Sequence, residues 1–167
     1  SIHLLKAGGK RLRPAFALVA GKTCNYDPDR LIPLAMALEL IHMATLVHDD
    51  VIDDAYTRRG LPTVKANWGN QVSIYTGTYL FAQSLQLIAG CNNPVVSEIL
   101  AEISVKMCEG EIQQIVTANN PRQNIRDYFY RIKRKTALLI SASCELGGVV
   151  CGAPDYHIRA LKRYGYF

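Results

Sequence analysis

The sequence predicts an all-α fold, a bundle of roughly six helices. Apolar residues recur at helical spacing in long segments, and short stretches rich in glycine, proline and asparagine separate these segments. No segment alternates apolar and polar residues between two hairpin turns, which is the pattern of a half-buried strand. There are no internal repeats and no low-complexity stretches. These features favour helix packed on helix over any sheet architecture.

The first half of the chain predicts two helices followed by a loop. The first helix is expected at 14–24, with Pro14 in its first turn, where a missing N–H is tolerated. A turn at 25–30 leads to a long, strongly apolar helix at 31–56, which carries an acidic cluster near its C-terminal end. Residues 57–67 contain a glycine and a proline and are expected to form a loop.

The second half of the chain predicts the remaining helices. Asn124 with Asp127 three positions on is typical of a helix start in which each side chain caps the other's backbone. One helix contains Gly77 and several β-branched residues, yet keeps helical spacing. The helices are expected at 70–89, 95–118, 124–150 and 155–167, with breaks at 90–94, 119–122 and 147–154.

The acidic cluster is the most informative feature of the chain. It reads His48-Asp49-Asp50-Val51-Ile52-Asp53-Asp54 and follows an apolar run directly. Asp49 and Asp53 are four apart, so on a helix they share a face, where like charges destabilise by a few tenths of a kcal/mol. A shared cation would reverse that sign. Mg²⁺ binds through one or two carboxylates plus substrate phosphates, so the cluster predicts a metal-bridged phosphate or diphosphate site.

One stripe of the same helix runs from apolar through polar to acidic. It contains Leu38, His42, Thr45, Asp49 and Asp53, at about 100° per residue. A core helix would not end its inward stripe in two aspartates, and a surface helix would not begin its outward stripe with leucine. A cavity down the bundle, with metals at its mouth and apolar walls below, explains both ends. The alternative is a frayed helix end with solvated acids.

Bulk composition is that of an ordinary globular chain. The 167 residues suffice for one domain, with 49% apolar and 20% charged residues. No charge-free apolar run reaches about 18 residues, so no membrane-spanning segment is expected. The chain lacks an initial Met and ends on apolar residues, which suggests a fragment of a longer protein. Five scattered cysteines without a CxxC pair favour reduced thiols in a cytoplasmic protein over disulfides or a zinc site.

The net charge of +5 comes from basic residues in three clusters, at 10–13, 58–59 and 131–135. Each cluster could simply be a solvated face. Nucleic acid is the usual partner of a basic chain, but no interleaved aromatic or recognition-helix pattern accompanies these clusters. The acidic cluster would also repel a polyphosphate backbone. A small anionic substrate is therefore the better prediction, and no nucleic-acid partner is expected.

An ordered set of motifs in this chain closely resembles the trans-isoprenyl diphosphate synthases. The aspartates at 49, 50 and 53 resemble the family's first aspartate-rich motif, DDxxD. The resemblance covers nearly the whole chain in the correct order and implies an isoprenoid-synthase-type helical bundle around a central cavity. The other motifs are Gly8-Gly9-Lys10-Arg11-Leu12-Arg13-Pro14, Arg58-Arg59-Gly60-Leu61-Pro62-Thr63, Gly110-Glu111-Ile112-Gln113-Gln114 and Lys135-Thr136-Ala137.

The resemblance implies a Mg²⁺-dependent transferase. Such enzymes ionise an allylic diphosphate, such as farnesyl diphosphate, and the double bond of isopentenyl diphosphate attacks the allylic cation. Metals and fixed cations stabilise the charge that develops on the leaving diphosphate. The implied metal ligands are Asp49, Asp50 and Asp53. The implied allylic diphosphate site contains Arg58, Lys135, Thr136 and Gln114, and the implied isopentenyl diphosphate site contains Lys10, Arg13, His42 and Arg59. Each basic residue could instead be an ordinary surface charge, and His42 a core histidine.

The residues before the aspartate motif bear on product length. Short-chain members of the family carry bulky aromatics there, which close the product cavity. Here the positions hold Ala44 and Thr45, with Ile41 a turn deeper. A medium- to long-chain product is therefore expected. Stretches such as 39–44 and 131–140 resemble the catalytic subunit of the bacterial heptaprenyl type, which works with a smaller, dissimilar subunit; family members are usually dimers.

Two departures from the family pattern qualify these expectations. Thr78 stands where the family usually has an aspartate. The family's second aspartate-rich motif is absent, so residues 1–167 are expected to be the N-terminal part of a single synthase domain, inactive alone. A binding or regulatory subunit is therefore an alternative function. Terpene cyclisation is a third, but it does not need a second diphosphate site.

Overall fold

The computed structural model describes residues 8–118 and 124–167, and within these ranges the all-α prediction is confirmed. The break expected at 119–122 lies outside the described residues. The helices are α1 (Leu12–Lys22), α2 (Pro28–Ile52), α3 (Val64–Gly90), α4 (Pro94–Thr117), α5 (Ile125–Ile132), α6 (Leu138–Val150) and α7 (Asp155–Tyr166). A π-helical segment, Lys133–Ala137, joins α5 to α6, and the strands β1 (Thr57–Arg58) and β2 (Leu61–Pro62) form a short antiparallel hairpin.

Helix α2 lies at the centre of the bundle, in contact with α1, α3 and α6. Pro28 begins it, and the Asp27 side chain caps it by accepting from the Asp29 N–H at 3.1 Å. Its Leu34 and Leu38 are fully buried in a core shared with α1, α3, α4 and α6. Burying such a leucine contributes about 1.5–3 kcal/mol, so α2 is fixed firmly enough to hold its C-terminal acids in place.

The chain turns sooner after α2 than the sequence predicts. Helix α2 ends at Ile52 and not at 56, because Asp53 is its C-cap and Asp54 adopts a left-handed φ of 52°. The predicted loop at 57–67 contains the β1–β2 hairpin, which sequence analysis missed. Its turn residues, Arg59 and Gly60, both have positive φ, as a two-residue hairpin loop requires.

The hairpin is attached to the start of α3. The Thr63 hydroxyl donates to the Ala55 carbonyl at 2.9 Å and accepts from the Ala66 N–H at 3.0 Å. Thr63 is therefore the N-cap of α3, which begins at Val64, six residues before the predicted start at residue 70. Gly69 interrupts α3 with a φ of 83°, and the helix resumes at residue 70, as predicted. The buried Lys65 pairs with Asp54.

Helix α2 is long and apolar enough to cross a membrane, judged by length and composition alone. Half of its apolar window is buried against other helices, and the core helix of a globular domain passes the same test. This is weak evidence for a span, so the expectation that there is none stays a prediction. All five cysteines lie within the described residues, and each is unpaired there.

Candidate active site

A cavity of about 600 Å³ opens between α2, α3, α4 and the π-helical segment. Asp49, Glu111 and Lys135 cluster in one part of its lining, which we call the cavity mouth, and most of the remaining lining is apolar. The structure therefore contains the cavity that the α2 stripe predicts, with His42, Thr45 and Asp49 on its wall. Leu38 and Asp53 lie outside this lining. The residues predicted to limit product length, Ile41, Ala44 and Thr45, all line the cavity.

Asp49 lies at the cavity mouth, close to two other acidic residues, Glu111 and Asp53. Burial and, second to it, the nearby charge of Glu111 raise the pKa of its carboxyl to about 6, while Lys135 opposes the shift. Asp53, one turn on, also acts to raise it. The free energy of this arrangement would fall if a cation were shared among the carboxylates, which is the chemistry that the sequence predicts for Asp49 and Asp53.

Asp50 is placed quite differently from its neighbour. It is only 1% exposed, and its Oδ1 accepts a hydrogen bond from Nε of Arg58 at 2.8 Å and lies 2.7 Å from Nη2 of the same guanidinium. Its Oδ2 is buried and has no hydrogen-bond partner among the described residues. Asp50 therefore anchors Arg58, because the hydrogen bond and the ion pair together fix the guanidinium orientation. The metal role predicted for Asp50 stays a prediction, with Oδ2 as the available atom.

Lys135 is held at the mouth by α4. Its Nζ lies 2.9 Å from Oε2 of Glu111, donates to Oε1 of Gln114 at 3.0 Å, and stands 3.9 Å from Oδ2 of Asp49. Three residues predicted separately from the sequence (Asp49, Gln114 and Lys135) thus come together. Thr136 lines the same cavity. Single π turns inside helices are frequent at functional sites, and this one brings two neighbouring residues to the cavity.

Gly110 lets the π-helical segment approach α4 closely. A Cβ added at Gly110 would lie 2.7 Å from Cβ of Arg134, which real structures do not tolerate. Arg134 donates to the Lys106 carbonyl at 3.1 Å and lies over the Tyr130 ring at 4.3 Å. Close packing against Arg134 therefore explains why residue 110 is a glycine. The same close packing lets Lys135 reach Glu111 and Gln114 of α4.

Basic side chains converge on His42 beside the cavity. Burial and, second to it, the charges of Arg13, Arg59, Arg58 and Arg11 lower the pKa of His42 to about 3. Burial also lowers the pKa of Arg13, whose Nε has no hydrogen-bond partner among the described residues. A small pocket here is lined by Arg11, Glu39, His42, Met43, Leu46, Arg58 and Arg59. Such a concentration of cations around a neutral imidazole suits a dianionic ligand.

The two loops that carry these cations are joined to each other. Arg59 donates to the Gly8 carbonyl, and a Cβ at Gly9 would meet the Arg59 guanidinium in its present position. Gly8 and Gly9 have φ values of 79° and 137°, a backbone conformation that favours glycine. Lys10 itself is exposed. The structure brings Arg13, His42 and Arg59 together. Lys10 lies three residues before Arg13 in the sequence.

The residues present fit a magnesium-bridged diphosphate. Within residues 8–118 and 124–167, no group of three His, Cys, Asp or Glu side chains could hold an ion unaided. Magnesium commonly takes only one or two protein carboxylates and completes its shell with phosphate and water. Asp49 and Oδ2 of Asp50, which has no hydrogen-bond partner among the described residues, would supply acid oxygens, and Arg58 and Lys135 would supply cations for the phosphate.

Several cavity residues were missed by sequence reasoning. Thr78 and Phe81 of α3 line the cavity, although Thr78 was set aside as a departure from the family pattern. On α4 the sequence places Met107, Glu111 and Gln114 on one face, and Met107 and Glu111 do line the cavity. Helical spacing along that face is a signal that could have found the missed residues, which are Ser104, Cys108, Ile112 and Ile115.

Comparison with known proteins agrees with the geometry. The sequence profile of the family described as Polyprenyl synthetase matches residues 1–167. This chain belongs to the polyprenyl synthetase family. A relative named heptaprenyl diphosphate synthase component 2, from Geobacillus stearothermophilus, is 52% identical over 167 residues, which is 100% of this chain and 52% of the relative.

Solved structures of the family share the fold. Heptaprenyl diphosphate synthase from Staphylococcus aureus superposes with a TM-score of 0.94 at 40% identity, over 99% of this chain and 52% of that one. A polyprenyl synthase from Caulobacter crescentus, complexed with calcium and isoprenyl diphosphate, gives 0.95 at 38%, over 98% and 50%. The predicted isoprenoid-synthase-type bundle is confirmed, and the chain spans about half the length of these relatives.

Proposed function

We propose that this chain is part of a Mg²⁺-dependent trans-prenyltransferase that condenses isopentenyl diphosphate with an allylic diphosphate such as farnesyl diphosphate. The observation that carries the proposal is the meeting of Asp49 with Lys135 and Gln114 at the mouth of an apolar cavity. An isoprenoid substrate has the same two parts, a charged head and an apolar tail. Family membership and the cavity's polarity both support this substrate class.

Asp49 and Asp53, with Oδ2 of Asp50 beside them, would hold the magnesium ions. When bound, Mg²⁺ would stabilise the negative charge that develops as the diphosphate leaves. Arg58, oriented by Asp50, and Lys135, oriented by α4, would bind the same oxygens and lower the free energy of the ionised state. The apolar walls would exclude water from the allylic cation.

The basic pocket around His42 would bind the second diphosphate. Arg59 lines that pocket with His42, and Arg13, which lines the large cavity, acts on His42 from the other side and has an Nε with no partner among the described residues. Arginine forks match pairs of phosphate oxygens, so these residues suit isopentenyl diphosphate. A prenyl synthase needs two diphosphate sites, whereas a terpene cyclase needs one. The pocket therefore favours chain elongation over cyclisation.

The product is proposed to be a medium- to long-chain polyprenyl diphosphate of the heptaprenyl type. Ala44, Thr45 and Ile41 line the cavity without closing it. Phe81 is the aromatic side chain of the lining, and it reaches the cavity from α3, not from the residues before the aspartate motif. The relative named component 2 of heptaprenyl diphosphate synthase supports the same product class.

The complete enzyme is proposed to be cytoplasmic and to assemble with other subunits. The word "component" in the relative's name supports a small, dissimilar second subunit. An exposed stripe on α3, with Trp68, Val72, Tyr75 and Tyr79, supports a dimer. Because the chain covers about half of its relatives, we propose that it is the N-terminal part of one synthase domain and does not catalyse prenyl transfer alone. Prenyl transfer by residues 1–167 alone would contradict this.

The test is prenyl transfer by a protein that carries the complete domain. It is incubated with farnesyl diphosphate, labelled isopentenyl diphosphate and Mg²⁺, with and without a small subunit, and the products are sized. Asp49→Asn should lower kcat by at least about 100-fold. Asp29→Asn, an exposed aspartate at the other end of α2, is the matched control and should retain activity. If no product forms while both diphosphates still bind, the chain is instead a binding or regulatory subunit.

A further inference from the structure

Glu111 is a partly buried acidic residue at the cavity mouth, and the proposed mechanism assigns it no role. It lies three residues before Gln114 on α4, so both side chains reach the same face. Both contact the Lys135 ammonium, at 2.9 Å from Oε2 of Glu111 and 3.0 Å from Oε1 of Gln114. The Glu111 and Lys135 side chains are 22% and 27% exposed, so water only partly screens this pair.

The hydrogen-bond capacity of Lys135 defines what this arrangement can do. A lysine ammonium carries three donors. Oε1 of Gln114 accepts from one of them, Oε2 of Glu111 forms an ion pair with the ammonium at 2.9 Å, and Oδ2 of Asp49, at 3.9 Å, is too distant for a hydrogen bond. At least one donor therefore remains for a ligand oxygen at the cavity mouth, while α4 fixes the position of the nitrogen.

A carboxylate beside a diphosphate site needs a physical reason. The charge of Glu111 repels an incoming diphosphate and also acts on Asp49. We propose that Glu111 is a positioning residue that holds Lys135 in place for the allylic diphosphate, with Gln114 as the second support. This inference rests on the proposed function. The competing possibility is that Glu111 contacts a metal ion directly, in which case it would act without Lys135.

A double-mutant cycle in the protein with the complete domain separates these possibilities. Glu111→Ala, Lys135→Ala and the double variant are compared by kcat, by KM for each substrate, and by the Kd of inorganic diphosphate at fixed Mg²⁺. Glu111→Ala should lower kcat about 10- to 100-fold, as loss of an outer-shell partner does. KM for isopentenyl diphosphate should change less than about two-fold, because Glu111 and Lys135 do not line the small basic pocket that contains His42 and Arg59.

The decisive comparison is Glu111→Ala in the Lys135→Ala background. If Glu111 acts through Lys135, the double variant should match Lys135→Ala alone in kcat and in diphosphate Kd. An equal loss in both backgrounds, or a higher Mg²⁺ requirement in the double variant, would overturn the proposal. Glu111→Gln keeps an acceptor for Lys135 and should recover kcat to within about five-fold of wild type.

The control is Glu102→Ala, which removes an exposed ion pair with Lys106 on the same helix. It should leave both kcat and the diphosphate Kd unchanged. A merely structural role for Glu111 would lower thermal stability and affect both substrates in both backgrounds. If wild type and the control make no product, the proposed function fails. The diphosphate Kd cycle would still report whether Glu111 positions Lys135.

Discussion

Removing Arg58 should destabilise the fold far more than removing an exposed arginine. Asp50 is 1% exposed, and its Oδ1 accepts a hydrogen bond from Nε of Arg58 at 2.8 Å and lies 2.7 Å from Nη2. The Arg58 side chain is 29% exposed, so the pair lies at the edge of the interior. Arg58→Ala would leave the buried carboxylate without its counter-charge and with both oxygens unpartnered.

The magnitude follows from the burial of the two partners. Removing one partner of a fully buried pair costs about 3–5 kcal/mol. Because Arg58 is partly exposed, water can enter where its side chain was, and the expected loss is about 2–3 kcal/mol of unfolding free energy. Adding Asp50→Asn removes the stranded charge, so the double variant should recover about 1 kcal/mol relative to Arg58→Ala alone.

Urea denaturation followed by circular dichroism measures these free energies. Arg30→Ala is the matched control, because Arg30 pairs with Asp27 at the surface with side chains 68% and 38% exposed. It should change stability by less than about 0.5 kcal/mol. A loss in Arg58→Ala no larger than in the control, or a double variant less stable than the single, would refute the argument that Asp50 depends on Arg58.

Three further outcomes are expected. Gly110→Ala should lower unfolding free energy by about 1–3 kcal/mol, because its Cβ would meet Arg134, whereas Gly90→Ala, with no atom within 4 Å, should not; thermal denaturation compares them. Thr45→Phe should shorten the products sized after prenyl transfer, since Thr45 lines the cavity; unchanged product length would contradict that role. His42, with a pKa lowered to about 3 from 6.5, stays neutral in the fold while the unfolded chain binds a proton. Stability should therefore fall as pH drops from 6.5 towards 3, and His42→Gln should flatten that dependence in pH-dependent unfolding.

Local sequence signals predicted the helices well. Asn124 and Asp127 cap each other's backbone N–H groups as their spacing predicts, at 3.0 and 3.2 Å. The α2 stripe correctly placed His42, Thr45 and Asp49 on one wall. These features depend on residues within two turns of each other, so periodicity and capping rules contain the information.

Features that depend on distant contacts could not be predicted. The role of Asp50 as an anchor arises from a guanidinium on a hairpin that the sequence did not reveal. The role proposed for Glu111 depends on its contact with Lys135, which is 24 positions further along the sequence and packs against α4. The start of α3 likewise moved to Val64 because the buried Thr63 caps it, while helical periodicity begins only after Gly69. Tertiary contacts override local propensity at each of these positions.

The π-helical segment also determines how far α5 is rotated about its axis relative to α6, because the two helices follow one another without a break. In the segment, the Leu138 N–H bonds to the Lys133 carbonyl, five residues back, so one extra residue is accommodated without breaking the helix. Deleting one residue there would let an ordinary helix form and would turn α5 by roughly 100° about its axis relative to α6. Because α6 is buried over residues 141–148, it would hold its orientation and α5 would turn. Length variation is therefore far less tolerable here than in a surface loop, even where the deleted side chain itself makes no contact.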